Sequence, residues 1–217
     1  MAHEQELTQG VIQGDKETVL RLIREELDAG RGPVAILNEG LIPGINILGE
    51  QFGRGEIFIP ELMAAAKAMT AAMELLRPLL EASGVKPLGK VVIGTVKGDM
   101  HDIGKNLVGM MLRGAGFEVI DLGVNAGPEK FIQALEQSGA RLMGMSALLT
   151  TTMNRMGGII QEIRRVSFGP EVQIVVGGAP LDESYARKIG ADGYAKDATL
   201  AVDRFKALCD GARPRAL

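Results

Sequence analysis

The chain has 217 residues, of which 46% are hydrophobic and 24% are charged, and its formal net charge is -3 at pH 7. This composition is close to that of average globular proteins and excludes a disordered or fibrous chain, and the small negative charge provides no basic surface for DNA or RNA. A single Cys and two His residues exclude an intramolecular disulfide and a zinc site built from clustered thiolates and imidazoles.

The sequence shows no signal for membrane insertion or export. No apolar run approaches the roughly 20 residues of a membrane-spanning helix. Residues 1–7 lack the basic and apolar regions of a signal peptide. We therefore expect a cytoplasmic protein with neither a nucleic acid nor a membrane among its partners.

The first part of the chain has the periodicity of α-helices, since apolar residues recur at helical spacing and no alternating strand pattern appears. Asp15 is expected to cap the first clear helix, and Gly30 is expected to end it. The predicted helices are a short one before Asp15, one over 15–30, one over about 33–52 that kinks or restarts at Pro43, and a long one from Pro60 to about Glu81.

The pattern changes after a segment rich in helix breakers, Ser83–Gly89, which we interpret as a linker. Short apolar runs then alternate with amphipathic stretches of helical length, which predicts βαβ units and a parallel sheet. The five predicted strands lie near 91–93, 118–120, 142–145, 174–176 and 193–194, and a last helix covers about 197–209. The fold class is therefore α/β: an N-terminal four-helix bundle over 1–86, followed over 87–217 by a flavodoxin-like (Rossmann-like) five-stranded parallel sheet.

The loop after the first predicted strand, Gly98–Gly104, contains His101 between two carboxylates. A lone imidazole cannot hold a free metal ion, because zinc sites need three or four protein ligands. A metal that a macrocycle already chelates needs only one, as in haem proteins. Asp99 is then expected to accept a hydrogen bond from the other ring nitrogen. The alternative for this segment is an ordinary surface loop with a capping Asp and a hydrogen-bonded His.

Three elements, each at the end of a predicted strand, resemble the signature of base-off, His-on cobalamin-binding domains. The resemblance implies that His101 replaces the dimethylbenzimidazole base as the axial ligand to cobalt. It also implies that Asp99 and Ser146 extend a hydrogen-bond relay behind this ligand. The three elements are Asp99-x-His101-x-x-Gly104, Ser146-x-Leu148 and Gly177-Gly178.

The same resemblance implies which residues bind the cofactor, a cobalamin such as methylcobalamin or cob(I)alamin, or a related corrinoid. Small residues would leave space for its displaced nucleotide tail. Taken singly, these residues have ordinary alternatives, for example a strand-to-helix turn at Gly177-Gly178 or a helix cap at Ser146. The expected cofactor-binding residues of the sheet domain are Asp99, Met100, His101, Asp102, Ile103, Gly104, Ser146, Leu148, Thr150, Gly177, Gly178 and Tyr194.

The segment Gly49–Leu62 in the helical part resembles the helical cap of methyl-transferring corrinoid proteins, including the corresponding module of cobalamin-dependent methionine synthase. In that family the cap covers the upper cobalt face and shields the methyl group. Phe52, Ile59 and Leu62 match its apolar contact positions. The alternative is that these three side chains belong to the core of a small helical bundle.

The resemblance implies a corrinoid methyl carrier that is not catalytic alone. A substrate-specific methyltransferase would methylate the bound cofactor, and a second methyltransferase would pass the methyl group to tetrahydrofolate or coenzyme M. A reductive activase would repair accidental oxidation. Three alternatives remain: a cobalamin-binding subunit of a mutase, a corrinoid-binding regulatory protein, and a flavodoxin-like domain without corrinoid.

Overall fold

A computed structural model describes residues 2–83 and 87–209. The chain divides into two compact units: Met1–Pro87 with Met110–Gly116, and Leu88–Gly109 with Phe117–Leu217. Residues 84–86 of the expected linker lie outside the described residues. Within the described ranges, no helix is both long and apolar enough to cross a membrane.

The first unit is built from helices, as predicted. Helix α1 packs against α4, and α2 packs against α5. Their apolar stripes meet in a core that includes the fully buried Leu7, Val19, Met69 and Leu76. The helical segments are α1 (Ala2–Gln13), α2 (Lys16–Asp28), α3 (Pro33–Ala35), a π-helical segment (Ile36–Leu41), α4 (Ile42–Gly53) and α5 (Ile59–Ala82).

The helix predicted over about 33–52 runs from Pro33 to Gly53, but it is not one regular α-helix. The N–H of Ile42 donates to the carbonyl of Leu37, five residues back, so the turn before Pro43 is a π turn. Pro43 has no N–H to donate to the carbonyl four residues before it, and this interrupts the α-helical ladder. A widened turn accommodates the interruption, which is why the helix restarts at Ile42.

Helix α2 begins and ends as its sequence predicts. The carboxylate of Asp15 accepts a hydrogen bond of 3.1 Å from the N–H of Thr18, so it caps the first turn. At the other end, the N–H of Gly30 donates to the carbonyl of Leu27, and Gly30 adopts a φ of 85°. A positive φ of this kind favours glycine, because a Cβ would be strained there.

The second unit contains the predicted five strands, all paired in parallel in the order β2-β1-β3-β4-β5. This order is that of flavodoxin-like folds, so the predicted fold class is confirmed. The strands are β1 (Lys90–Thr95), β2 (Glu118–Asp121), β3 (Leu142–Ser146), β4 (Gln173–Gly177) and β5 (Gly193–Ala195). The helices are α6 (Ile103–Gly114), α7 (Pro128–Ser138), α8 (Thr150–Met153), α9 (Arg155–Arg165), α10 (Glu183–Lys188) and α11 (Ala198–Cys209).

The register aligns the carboxyl ends of four strands in one row. Thr95 pairs with Ser146, Ser146 with Gly177, and Gly177 with Ala195. After β1 the chain continues to β2 on one side, and it later enters β3 on the other side of β1. The loops after β1 and β3 therefore meet at the point where the strand order reverses, which is where such sheets bind ligands.

Replacement of Asp15 tests the cap of α2. We expect Asp15→Ala to lower the free energy of unfolding by about 1 kcal/mol, because the N–H of Thr18 loses its acceptor. Asp28→Ala is the control, since a carboxylate in the last turn of the same helix opposes the helix dipole and its removal should change stability by less than about 0.5 kcal/mol. Urea unfolding measures both variants, and equal losses would contradict the cap.

Candidate functional site

The site lies where the loop after β1, residues 96–102, meets the loop after β3, residues 147–149. A direct hydrogen bond joins them: the N–H of Leu148 donates to Oδ2 of Asp99 over 2.8 Å. The β1 loop is also tied to its own strand, because the N–H of Asp99 donates to the carbonyl of Val96 and the hydroxyl of Thr95 donates to the carbonyl of His101. The two loops thus form one hydrogen-bonded structure.

Asp99 is at the centre of this structure, and its side chain is completely buried. Oδ1 accepts from the main-chain N–H of His101 at 3.0 Å and is 2.7 Å from Nδ1 of the same residue. Oδ2 accepts from Leu148 N–H and, at 2.6 Å, from the hydroxyl of Thr152. Four donors therefore surround a carboxylate that has no contact with solvent.

The pKa of Asp99 follows from two opposing effects. Burial alone would raise the pKa of the carboxyl, because desolvation disfavours the charged form. The hydrogen bonds from Thr152, from Leu148 and from both donors of His101 act in the other direction and outweigh burial, so the pKa lies far below its usual value. Asp99 is thus a carboxylate at every physiological pH.

An ionised Asp99 determines how the His101 ring is used. A carboxylate can only accept, so Nδ1 of His101 must carry the proton of their 2.7 Å hydrogen bond. In the neutral ring, the lone pair is then on Nε2. Nε2 has no hydrogen-bond partner within the described chain, and the His101 side chain is 51% exposed. The predicted Asp99–His101 pair is present, with the nitrogen opposite the carboxylate available to a ligand.

Thr152 is the residue that the sequence analysis missed, since the hydroxyl next to Asp99 was expected from Ser146. Ser146 is the last residue of β3, and the hydrogen bond that joins it to the site is made by its carbonyl, which accepts from Val96 N–H at 3.0 Å. Thr152 lies in α8, in the first turn after the β3 loop, and it is buried. The sequence feature that could have indicated Thr152 is the run of three threonines over 150–152. In α8 the first two are exposed and the third is buried.

The predicted apolar contacts around His101 are strongly exposed. Met100 is 68% exposed and Ile103 is 71% exposed. Leu148 and its neighbour Leu149 are 44% and 43% exposed. Large apolar side chains are normally buried, so their concentration beside a free imidazole nitrogen is suited to a large, partly apolar ligand.

Gly104 is the predicted site residue whose small size the chain itself does not explain. A Cβ at Gly104 would meet no atom within 4 Å, and its φ is not positive. Gly177 and Gly178 differ, because a Cβ would come within 2.8 Å of the Ala195 carbonyl oxygen at Gly177 and 1.9 Å of the Ala147 carbonyl oxygen at Gly178. Close approach of the backbone therefore accounts for these two glycines.

The remaining predicted residues of the sheet unit differ in exposure and in hydrogen bonding. The carbonyl of Asp102 accepts from Asn106 N–H at 2.7 Å at the start of α6. Thr150 is exposed at the start of α8. Tyr194 is half-buried, and its hydroxyl donates to the carbonyl of Leu181 at 2.9 Å. The hydrogen bond to Leu181 therefore fixes the position of the Tyr194 side chain without a ligand.

The three positions predicted for the helical unit also differ in exposure. Phe52 is half-buried near the end of α4, and Ile59 is 48% exposed at the start of α5. Leu62 is fully buried, as expected for a core residue. Phe58, which the sequence analysis did not select, is 71% exposed.

The donor set around His101 is informative about the metal it could hold. No group of three or more His, Cys, Asp or Glu side chains with metal-binding geometry occurs among residues 2–83 and 87–209. A free zinc ion needs such a group. A half-exposed imidazole, on a loop whose Met100 and Ile103 side chains are also exposed, fits a metal that a macrocycle already chelates and that needs only one protein ligand.

Comparisons with known proteins agree with this interpretation. A family model of the B12 binding domain matches residues 89–203, and a second B12 binding domain model matches residues 3–77. The dimethylamine corrinoid protein of Methanosarcina barkeri is 43% identical over 206 residues, which cover 94% of this chain and 96% of that protein. Trimethylamine corrinoid protein 2 of Methanosarcina mazei is 40% identical over 195 residues, which cover 89% of each chain.

The fold comparison gives the same result. A chain in the structure of the methanol:cobalamin methyltransferase complex MtaBC from Methanosarcina barkeri matches with a TM-score of 0.82 and 26% identity, over 97% of this chain and 80% of that chain. The match spans both the helices and the parallel sheet. Together with the two B12 binding domains and the relatives above, it shows that this chain belongs to the family of corrinoid proteins, which bind cobalamin or a related corrinoid.

Proposed function

We propose that this corrinoid protein carries a methyl group on a corrinoid bound base-off and His-on, with His101 as the axial ligand to cobalt. The observation that carries the proposal is the imidazole itself: Nδ1 is hydrogen-bonded to a buried carboxylate, Nε2 has no partner among residues 2–83 and 87–209, and the side chain is 51% exposed. The proposed domains are a helical cap over 1–86 and a cobalamin-binding domain over 87–217. When bound, the corrinoid supplies a cobalt centre that accepts and donates a methyl group.

The residues of the sheet domain would orient the cofactor and shield it from water. Met100, Ile103 and Leu148 offer exposed apolar surface beside His101. The open space at Gly104 allows a ligand to approach the backbone at the start of α6. We assign contacts with the nucleotide tail to Asp102, Ser146, Thr150, Gly177, Gly178 and Tyr194, on the resemblance to cobalamin-binding domains.

The relay behind the ligand is proposed to consist of His101, Asp99 and Thr152. Thr152 takes the position expected for Ser146, because its hydroxyl donates to Oδ2 of Asp99 over 2.6 Å. The carboxylate holds the His101 ring with Nδ1 protonated, which leaves the lone pair of Nε2 for a metal. If a metal bound Nε2 more or less strongly, the strength of the hydrogen bond between Nδ1 and Asp99 would change. We therefore propose that His101, Asp99 and Thr152 are the groups that would hold or release a proton.

The proposed cap function of the helical unit rests on its resemblance to methyl-transferring corrinoid proteins. Phe52 and Ile59 have exposed surface that could cover an apolar ligand. Leu62 has none, so the structure supports a place in the helical core for this side chain and not a contact with a ligand.

The proposed partners follow from the relatives. The protein of similar fold forms a methanol:cobalamin methyltransferase complex, and the similar sequences are named for dimethylamine and trimethylamine. We therefore propose a substrate-specific methyltransferase as the methyl donor and a second methyltransferase, acting on tetrahydrofolate or coenzyme M, as the recipient. A reductive activase completes the proposed system. These relatives favour methyl transfer over a mutase subunit or a regulatory protein.

Replacement of His101 tests the axial ligand. Protein labelled with ¹⁵N in histidine is loaded with hydroxocobalamin, freed of excess and reduced to Co(II), and paramagnetic resonance spectra are recorded. The label separates a doublet from a protein ¹⁵N imidazole from the triplet that the cofactor's own ¹⁴N benzimidazole gives. We expect a ¹⁵N doublet in the wild type and its complete loss in His101→Ala, because His101 is the imidazole that Asp99 holds. His3→Ala removes the only other imidazole of the chain and should retain the splitting. The same splitting in both variants would refute the assignment.

Replacement of Thr152 and Ser146 tests which hydroxyl serves the relay. Thr152→Val keeps the shape and removes the donor to a buried carboxylate, so we expect the free energy of unfolding to fall by about 2 kcal/mol. Ser146→Ala should change it by less than about 0.5 kcal/mol. Urea unfolding at pH 7 measures both, and a larger loss in Ser146→Ala would return the relay position to Ser146.

The ionisation of Asp99 predicts a dependence of stability on pH. The pKa of Asp99 is lower in the folded state than in the unfolded state, so its stabilising effect is complete above the unfolded pKa of about 3.9 and declines as the pH falls below it. We expect the difference in unfolding free energy between wild type and Asp99→Asn to be larger at pH 7 than at pH 3. A difference that is constant or grows towards pH 3 would contradict the assignment.

A further inference from the structure

Asn125 lies in the loop between β2 and α7, and its backbone is unusual. With a φ of 54°, it is the only non-glycine residue with a positive φ in the part of the chain that the structure describes. Side chains are strained in this region, although Asn tolerates it better than most residues. A glycine would fit the backbone here without strain, so the Asn side chain is expected to make a contact that offsets it.

Asn125 holds the β1 loop by two hydrogen bonds. Its side-chain Oδ1 accepts from the N–H of Gly98 at 2.8 Å. Its own N–H donates to the carbonyl of Asp99 at 3.1 Å. The next residue continues the contact, because Ala126 N–H donates to the carbonyl of Thr95 at 2.8 Å. The β2–α7 loop is thus hydrogen-bonded to Gly98 and Asp99, which immediately precede Met100 and His101.

The position of these hydrogen bonds matters because Asp99 contributes twice. Its main chain is part of the β1 loop, and its side chain holds the His101 ring. Asn125 fixes the main chain of Gly98 and Asp99, and the Thr95 hydroxyl fixes the carbonyl of His101 at 3.0 Å. Between these points, Oδ1 of Asp99 holds Nδ1 of the ring. A shift of the Asp99 backbone would therefore move the carboxylate, and with it the direction of Nε2.

We propose that Asn125 is a positioning residue for His101: its amide oxygen fixes the β1 loop so that Asp99 holds the imidazole with Nε2 directed at the ligand site. The inference rests on the proposed role of His101 as the cobalt ligand. It adds the β2–α7 loop to the structure that determines the strength of axial ligation.

Two variants of Asn125 separate the side-chain contact from the backbone conformation. Asn125→Gly keeps the positive φ and the main-chain N–H, but it removes the acceptor for Gly98. Asn125→Asp keeps an acceptor oxygen at the same position. Ser138→Ala is the matched control, because Ser138 also accepts from a loop N–H, that of Ala140, at the other end of α7.

The first measurement uses the cofactor-free protein in a His3→Gln background, which leaves His101 as the only imidazole. Amide exchange at Gly98 should be about fivefold faster in Asn125→Gly, the factor expected for one net hydrogen bond. The ¹⁵N spectrum of the ring should change from a single tautomer protonated at Nδ1 to a mixture. Asn125→Asp and Ser138→Ala should match the parent in both respects.

The second measurement loads the same variants, with ¹⁵N in the His101 ring, with hydroxocobalamin, reduces the cobalt to Co(II) and records the splitting by ¹⁵N, which the cofactor's own benzimidazole does not give. We expect the ratio of cobalt without imidazole to cobalt with imidazole to rise about fivefold in Asn125→Gly and to stay unchanged in Asn125→Asp and Ser138→Ala.

The outcomes separate the inference from the function on which it rests. If Asn125→Gly loosens the Gly98 amide but leaves the His101 tautomer and the nitrogen splitting unchanged, Asn125 is merely structural and the inference is overturned. Wild-type behaviour of Asn125→Gly in every measurement overturns it as well. If the parent protein itself binds corrinoid without nitrogen splitting, the proposed function fails, and the tautomer of the cofactor-free protein still decides whether Asn125 positions His101.

Discussion

The buried carboxylate of Asp99 is the constraint on which the site depends. Removing an ionised carboxylate from water costs several kcal/mol unless donors replace the lost hydration. Here the four donors come from the β1 loop, the β3 loop and helix α8, through His101, Leu148 and Thr152. These segments must converge if Asp99 is to be buried as a carboxylate, so the hydrogen bonds that compensate for burying one charge also assemble the site.

The sheet makes this convergence possible. The register aligns Thr95 with Ser146, so the loops that follow β1 and β3 start side by side. The β2–α7 loop lies on the opposite side of the β1 loop and holds it through Asn125. The His101 ring is therefore supported by loops from three adjacent strands, and only its Nε2 side remains for a ligand.

Local sequence patterns predicted the helices and strands. The strand order and the contacts of Thr152 and Asn125 could not be predicted, because they depend on segments that are distant in the sequence. Helical periodicity and the caps at Asp15 and Gly30 are encoded within a few residues, and so are the apolar runs of the strands. The order of those strands is not, nor is the choice of Thr152 over Ser146, which depends on the direction of a hydroxyl after a strand ends and a helix begins. Asn125 carried no signal because its partner Gly98 is 27 residues away.

Gly104 and Gly178 differ in whether the fold itself requires a glycine. Gly178 has a φ of 130°, and a Cβ there would overlap the carbonyl oxygen of Ala147, so the fold alone requires it. Gly104 has neither constraint, although glycine in a helix is less stable than alanine by about 1 kcal/mol. The fold therefore leaves room at Gly104 for a group that approaches the start of α6 from outside the chain. Under the proposed function, the corrinoid is the group that would occupy this space.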